Sequence, residues 1–253
     1  MYRPLRFNSL LAAFLLATFA VGENVAWSQY TEGPLPPNSG HQLLRADLPP
    51  GTIGNMARHR GGPLQGYYQP VRIVPPEGAK VALATNLGSF APLGETQQAG
   101  LLVGAVYRLQ VSRIPNNPGL ELYPTVEIIG RLYPPPGQET RFPIPVHLDQ
   151  NDLLNAAAGR LVTRVIYLED PQTALPLADQ PSTQRTLDIR PQMDPMLEAD
   201  RLGRPIAILR IGSRIPPTDP GQLQAFLLGG PHWIPTAAPQ ATANLAPLSR
   251  AAQ

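Results

Sequence analysis

The chain has 253 residues, of which 43% are hydrophobic, and its formal net charge is +2. It contains no cysteine, which excludes disulfides, thiolate catalysis and cysteine-ligated zinc or iron–sulfur clusters. Residues 67–216 carry 14 basic and 14 acidic side chains, so this region lacks the net basic character typical of nucleic-acid-binding domains. We therefore expect no nucleic-acid partner.

The first 28 residues have the pattern of a signal peptide. Two arginines precede an unbroken, mostly apolar run at 10–21, which is shorter than the roughly 20 residues a membrane-spanning helix needs. Ala26 and Ser28 fit a cleavage site before Gln29, and an alternative site follows Gly22. We expect an exported chain, in the periplasm or at the cell surface of a Gram-negative-type bacterium, with no transmembrane segment after cleavage.

The composition divides the remaining chain into three parts. Residues 29–66 are rich in proline and glycine and show no sustained period, which predicts an extended linker. Residues 217–253 end in an Ala/Pro/Thr/Gln-rich stretch with almost no charge, which predicts a largely disordered tail. The folded domain is predicted at 67–216.

Apolar and polar residues alternate with a period of two along this domain, as expected for half-buried antiparallel strands. Tyr107, Leu109 and Val111 fall on one face of a predicted strand, and Arg108 and Gln110 fall on the other. Similar strands are predicted at 68–74, 80–85, 125–133, 141–148, 160–168, 185–190 and 205–212. The pattern predicts a mainly β fold, an antiparallel β-sandwich of immunoglobulin-like size, with a mixed α+β fold as the alternative.

One or two short helices are predicted to interrupt the strands. Asp149 is placed to cap a helix that stops at Gly159. Asp194 is placed to cap a second helix, which has Pro195 at its first position and Gly203 at its end. The two prolines of the 141–148 strand lie on one face, which predicts either a strand at the edge of a sheet or an extended segment.

The adjacent carboxylates Glu169 and Asp170 are the most conspicuous acidic pair. Neighbouring side chains on a strand point to opposite faces, so these two cannot act on one substrate. Because Asp170 precedes a proline, the pair instead predicts the end of a strand. A carbohydrate-active hydrolase would need a second acid from another strand, and Glu169 and Glu127 are the candidates for that alternative.

The other catalytic and ligand-binding signals are weak. The four histidines, His41, His59, His147 and His232, do not have the spacing of a metal site. The sequence has no nucleophile elbow, phosphate-binding loop or dinucleotide fingerprint. We therefore predict no catalytic residue, no cofactor and no metal site.

Exposed aromatic side chains could bind a sugar or a peptide. Tyr67 and Tyr68 in "GYYQP" and Trp233 in "PHWIP" are the candidate ligand contacts. The alternative is that these rings anchor the core, because aromatic side chains dominate both core and interface energetics.

The stretches "ELYPTVEIIGRLYPPP", "PIPVHLDQNDLLNAAAGRLVTRVIYLEDP" and "GRPIAILRIGSR" resemble an uncharacterised family of secreted bacterial proteins of the kind found in planctomycetes. The resemblance covers roughly residues 67–216. It implies export into a Gram-negative-type envelope, and it implies no activity and no functional residues.

The function expected from the sequence is that of a non-catalytic envelope protein, acting as a structural or binding module. Its expected partner is another envelope protein or a cell-wall polymer. The alternative is an exported carbohydrate-active hydrolase that uses paired carboxylates. The first is favoured because no nucleophile, metal or cofactor motif is present, and because β-sandwiches commonly serve as binding domains by analogy of fold.

Overall fold

The computed structural model describes residues 45–59, 65–172, 174 and 185–236. Contacts divide the chain into Met1–Pro37 and Asn38–Gln253, and every described residue belongs to the second unit. The predicted signal peptide and the last 17 residues of the predicted tail lie outside the described residues.

In chain order the elements are α1 (Thr52–His59), β1 (Tyr68–Val74), β2 (Lys80–Leu83), β3 (Gln97–Leu102), β4 (Val106–Ser112), β5 (Thr125–Ile128), a short 3-10 helix (Glu139–Arg141), β6 (Ile144–His147), α2 (Gln150–Ala157), β7 (Val162–Glu169), α3 (Pro195–Leu202), β8 (Gly203–Ile211), α4 (Pro220–Phe226) and β9 (Trp233–Pro235). No helix among the described residues is long and apolar enough to cross a membrane.

The strands form two sheets, of order β6-β1-β3-β9 and β2-β4-β5-β8-β7. All neighbouring strands pair antiparallel except β1 and β6, which run parallel. The apolar faces of the two sheets share one hydrophobic core, which includes Val71 and Leu101 from the first sheet and Leu109, Val126 and Leu209 from the second. The predicted mainly β, sandwich-like fold is therefore confirmed.

Local sequence signals place the helix ends and one sheet edge as predicted. The Asp149 carboxylate accepts hydrogen bonds from the first-turn N–H groups of α2, and Asp194 does the same for α3. The proline-containing strand β6 is an edge strand, where the missing N–H of Pro145 costs no ladder hydrogen bond. The predicted strand at 185–190 does not form.

Part of the predicted linker 29–66 belongs to the folded structure. Residues 45–59 form a turn followed by α1, and Ala46 and Ile53 are buried. These residues pack with Ile129, Met196 and Ile208 on the outer face of the five-stranded sheet. Helices α1 and α3 thus add a layer outside the sandwich, and the described residues contain four α-helices where one or two were predicted.

The described part of the predicted tail also folds onto the sandwich. Helix α4 buries Phe226 against Tyr123 and Ala84, and β9 adds a strand to the four-stranded sheet beside β3. Arg108, predicted on the polar face of its strand, is 9% exposed because α4 covers it. Its guanidinium donates to the carbonyls of Phe226 and Tyr123, and burial lowers the Arg108 pKa to about 10. The folded domain therefore extends to residue 236.

Candidate functional site

A shallow groove lies at the edge of the four-stranded sheet, where β9 meets β3 and the loop that precedes β3. Its volume is about 410 Å³, within the usual range of ligand sites. Apolar side chains form one part of its lining: Ala91, Pro92, Trp233 and Pro235. Polar, uncharged side chains form the rest: Thr96, Gln97, Gln98 and Thr236.

Trp233 is fixed in the groove by its backbone and by its ring. Its backbone pairs with Leu101 of β3, and the indole Nε1 donates to the carbonyl oxygen of Ala84 at 3.0 Å. The indole also packs against the shared core, which leaves Trp233 half-buried. The ring is therefore held rigidly, with part of its surface available to a ligand.

The turn between α4 and β9 requires glycine to bring Trp233 to this place. Gly230 has a φ of 54°, a left-handed conformation that favours glycine. A Cβ atom at this position would collide with the carbonyl group of Thr85. The close approach of the turn to the β2–β3 connection thus depends on Gly230 lacking a side chain.

Most polar side-chain groups of the groove already have protein partners. The Gln97 amide nitrogen donates to the carbonyls of Val81 and Pro92, at 3.4 and 3.1 Å. The Gln98 amide nitrogen donates to the carbonyl of Thr140, and its oxygen accepts from Arg72, both at 3.2 Å. These bonds orient the two amide nitrogens toward the protein.

One hydroxyl in the groove is an exception. The Oγ1 atom of Thr236 is buried and has no hydrogen-bond partner, although its backbone N–H donates to the carbonyl of Gln98 at 3.4 Å. Buried hydroxyls are normally hydrogen-bonded. Because solvent does not reach this atom, a ligand bound in the groove would not contact the Thr236 hydroxyl either.

The groove carries no charge and no group that performs acid–base or nucleophilic chemistry at neutral pH. In the described part of the chain, no three potential ligands among His, Cys, Asp and Glu come together to hold a metal ion. The lining residues can bind a neutral ligand through apolar contacts and a few hydrogen bonds.

The three predicted ligand contacts do not meet at one place. Only Trp233 lines the groove. The Tyr67 ring lies against the core and under the Arg131 guanidinium, 3.8 Å from the ring centre. The Tyr68 ring meets the His232 ring edge-on, with their centres 6.1 Å apart. The two adjacent tyrosines thus contact different parts of the molecule.

The carboxylates proposed for the hydrolase alternative are also apart. Glu127 lies opposite Ile208 of β8, and Glu169 lies opposite Gly203 of the same strand. These two β8 residues are five positions apart, which corresponds to about 17 Å along the strand. Paired glycosidase carboxylates lie within about 10 Å of each other. Glu127 is fully buried, and Glu169 forms an ion pair with Arg185. The two acids therefore do not converge on one substrate.

The end of β7 agrees with the turn predicted at Glu169 and Asp170. Glu169 is the last residue of the strand, and the Asp170 carboxylate accepts the N–H of Gln172 at 2.9 Å. Hydrogen bonds of this kind, from a side chain to the backbone two residues on, are typical of turns.

Sequence reasoning identified Trp233 but missed the other side of the groove. Gln97 and Gln98 are ordinary polar residues at the start of a strand, and Pro92 lies in a loop with no special motif. The only signal was an aromatic residue flanked by prolines in "PHWIP". The lining residues on that side, from Ala91 to Gln98, are more than 130 positions away from Trp233 in the sequence.

The fold and the groove define a mainly β protein with an uncharged surface site. The chain matches no protein-family model, no curated protein and no solved structure. The resemblance to secreted planctomycete-type proteins therefore stays a prediction.

Proposed function

We propose that this chain is an exported, non-catalytic binding module of a bacterial envelope, and that the Trp233 groove is its contact site. The observation that carries the proposal is the uncharged groove with a rigidly held, partly exposed indole. Binding sites are typically concave and mostly apolar, with a small number of placed polar groups. The groove is concave and combines four apolar with four polar, uncharged lining residues.

The charged side chains of the domain support a non-catalytic function. Glu127 pairs with Arg210 in the interior, and Asp152 pairs with Arg164 where α2 meets β7. These carboxylates hold elements together and are turned away from the groove lining. A module whose carboxylates form ion pairs away from the groove can bind a ligand without reacting with it.

Trp233 also provides the test. The sequence has two tryptophans, Trp27 and Trp233, so a chain of residues 29–253 has Trp233 as its sole indole fluorophore. With 5-fluorotryptophan incorporated at this one position, titration with solubilised envelope proteins and with cell-wall polymer should change the fluorine NMR signal of Trp233 in a saturable way. No saturable change with either material would contradict the proposal.

Two variants separate groove binding from general adhesion. Ala91→Phe fills the groove while it keeps Trp233 as the reporter, and it should abolish the saturable change. Ile234→Ala is the matched control, because Ile234 is exposed and absent from the groove lining. Retention of binding in Ala91→Phe would place the contact elsewhere.

Export is tested separately. Mass spectrometry of the protein from its native envelope should find an N-terminus near Gln29. A chain that retains Met1 in the cytosolic fraction would overturn this part of the proposal.

A further inference from the structure

We propose that the outer edge of β7 is a self-association surface, and that residues 185–190 act as a latch, held beside this edge by two ion pairs. Release of the latch exposes β7 to the same strand of a second copy of the chain. Strand β7 belongs to the five-stranded sheet, whereas the Trp233 groove lies at the four-stranded sheet. The proposal is therefore independent of the function proposed above.

The edges of the two sheets are not equally protected against pairing with another chain, to which an open edge offers unpaired N–H and C=O groups. Val81 of β2 exchanges backbone hydrogen bonds with Gly94, at 2.8 and 2.9 Å. The edge strands β6 and β9 are short and contain Pro145 and Pro235. Edge strand β7 has eight residues and no proline, so it is the edge best suited to accept another strand.

The latch runs beside β7 in the opposite direction. Arg185 Nη2 lies 3.6 Å from the carboxylate of Glu169, at the end of β7. Asp188 accepts a hydrogen bond at 2.9 Å from Arg164, near the start of β7. Among the described residues, no backbone hydrogen bond joins the latch to β7. Side chains therefore hold the latch in place without adding a strand to the sheet.

The contacts that hold the latch are weak. Five of its six residues are exposed, and the Asp188 side chain is 86% exposed. Exposed ion pairs contribute little to stability, and salt screens them. The latch can therefore open without unfolding the domain, and we expect salt to favour its opening.

Strand β7 is complementary to itself when two copies pair antiparallel with Tyr167 opposite Tyr167. In this two-fold arrangement Arg164 lies opposite Asp170 of the second copy, and Ile166 lies opposite Leu168 of the second copy. Opposite charges, and apolar residues, that face each other across neighbouring strands stabilise their pairing. This charge pattern selects a second copy of the chain as the occupant of the edge.

The latch and the second copy compete for Arg164. The Nε and Nη2 atoms of Arg164 donate to the buried Asp152 at 2.7 and 2.8 Å, which fixes the guanidinium at β7. The Nη1 atom donates to Asp188 of the latch, and in the dimer it would donate to Asp170 of the second copy instead. Opening of the latch and formation of the dimer thus use the same donor.

Self-association is measured by sedimentation velocity on residues 29–253, which contain every described element. Arg185→Gln together with Asp188→Asn removes both ion pairs of the latch and leaves β7 unchanged. We expect this latch variant to dimerise with a dissociation constant at least about tenfold lower than that of the parent chain. A parent and a latch variant that are equally monomeric would overturn the proposal.

Salt should act in opposite directions on the two chains. Raising the ionic strength from about 0.05 M to about 0.5 M shortens the screening length roughly threefold. In the parent this weakens the latch and should strengthen dimerisation. In the latch variant it weakens only the Arg164–Asp170 pairs of the dimer and should reduce dimerisation. The same direction of change in both chains would contradict a latch held by ion pairs.

Two further variants locate the surface. Leu168→Lys in the latch variant should restore the monomer, because a lysine on an edge strand opposes pairing with another chain. Lys80→Gln together with Glu95→Gln is the matched control, since it removes an exposed ion pair of 2.8 Å at β2, an edge that keeps its backbone bonds to Gly94. The control should be as monomeric as the parent. Circular dichroism establishes that each variant is folded. A dimer that survives Leu168→Lys, or a control that dimerises as the latch variant does, would place self-association elsewhere and overturn the proposal.

Discussion

Glu127 and Arg210 form an ion pair in the interior of the protein, with 2.8 Å between Oε2 and Nη1. Glu127 is fully buried and Arg210 is 7% exposed. The other carboxylate oxygen of Glu127 accepts the N–H of Gly54 at 2.7 Å, while Arg210 donates to the carbonyls of Ala46 and Leu48. The ion pair therefore holds the segment 45–59, which contains α1, against the five-stranded sheet.

Removing one member of this pair should destabilise the fold strongly. Glu127→Gln leaves Arg210 buried without its counter-charge, and we expect a loss of about 3–5 kcal/mol in the free energy of unfolding. The measurement is urea denaturation followed by circular dichroism. The double substitution Glu127→Leu with Arg210→Met should recover much of that loss, because no unpaired charge remains buried.

An exposed pair provides the control for this prediction. Arg201 lies 3.5 Å from Glu198 within α3, and its side chain is 55% exposed. Arg201→Gln should cost less than about 1 kcal/mol. Equal costs for Glu127→Gln and Arg201→Gln would show that the interior pair does not hold α1 in place.

Helix α1 lies so close to the turn before β4 that a side chain at Gly54 should destabilise the fold. A Cβ atom on Gly54 would lie 2.8 Å from Cα of Gly104 and 2.9 Å from its carbonyl oxygen. Gly54→Ala should therefore push α1 off the sheet and cost about 1–3 kcal/mol. Hydrogen exchange should report faster exchange of the α1 amides. Gly119→Ala, where a Cβ meets nothing within 4 Å, should stay within about 0.5 kcal/mol of the parent.

The stability of the protein should fall at alkaline pH because of Tyr107. Burial raises the pKa of Tyr107 to about 12. Its hydroxyl donates to the carbonyl of His232 at 2.9 Å and accepts the N–H of Leu102 at 2.8 Å. The folded state thus retains a proton that the unfolded chain releases near pH 10, so the stabilisation is complete below about pH 10 and is lost as pH rises toward 12.

This alkaline loss should be about 2–3 kcal/mol for Tyr107 alone. Urea denaturation at intervals between pH 9 and pH 12 measures it, and absorbance at 295 nm follows tyrosine ionisation. Tyr107→Phe should be less stable at neutral pH and less sensitive to pH in this window. Tyr123, whose pKa burial also raises to about 12, should account for part of the remaining sensitivity. An identical pH slope in Tyr107→Phe and the parent would contradict the assignment.

The C-terminal boundary of the domain provides a fourth prediction. A chain of residues 29–216 ends where the sequence predicted the domain to end, and it lacks α4 and β9. It loses the Phe226 carbonyl that accepts from Arg108 and the His232 carbonyl that accepts from Tyr107. We expect it to unfold at a much lower temperature than residues 29–236, or without a cooperative transition. Equal melting temperatures of the two chains would contradict the extended domain.

The sequence by itself determined those features that arise from local chemistry. Alternation with a period of two predicts strands because successive side chains of a strand face opposite sides, and the mainly β fold followed from it. Asp149 and Asp194 predicted helix starts because a capping carboxylate satisfies the N–H groups of its own first turn. Pro143 and Pro145 predicted an edge strand because proline has no N–H to donate to a neighbouring strand.

Only the tertiary structure decided which polar faces are covered. Arg108, Glu127 and Arg210 occupy the side of the five-stranded sheet that alternation assigns to solvent, yet all three are buried. They are covered by α1, α3 and α4, and two of these helices come from segments predicted to be linker and tail. The alternation of residues along one strand cannot predict this packing, because the packing depends on complementary surfaces that are far apart in the chain.

The groove was decided in the same way. Trp233 stood out in the sequence, but the chain places Gln97, Gln98 and Pro92 beside it only when β9 pairs with β3. That pairing joins segments more than 130 residues apart, and its register depends on the turn at Gly230 and on the Ala84 carbonyl that receives the indole N–H. The sequence could identify Trp233 as a candidate ligand contact, whereas the shape and the lack of charge of the groove arise from long-range contacts.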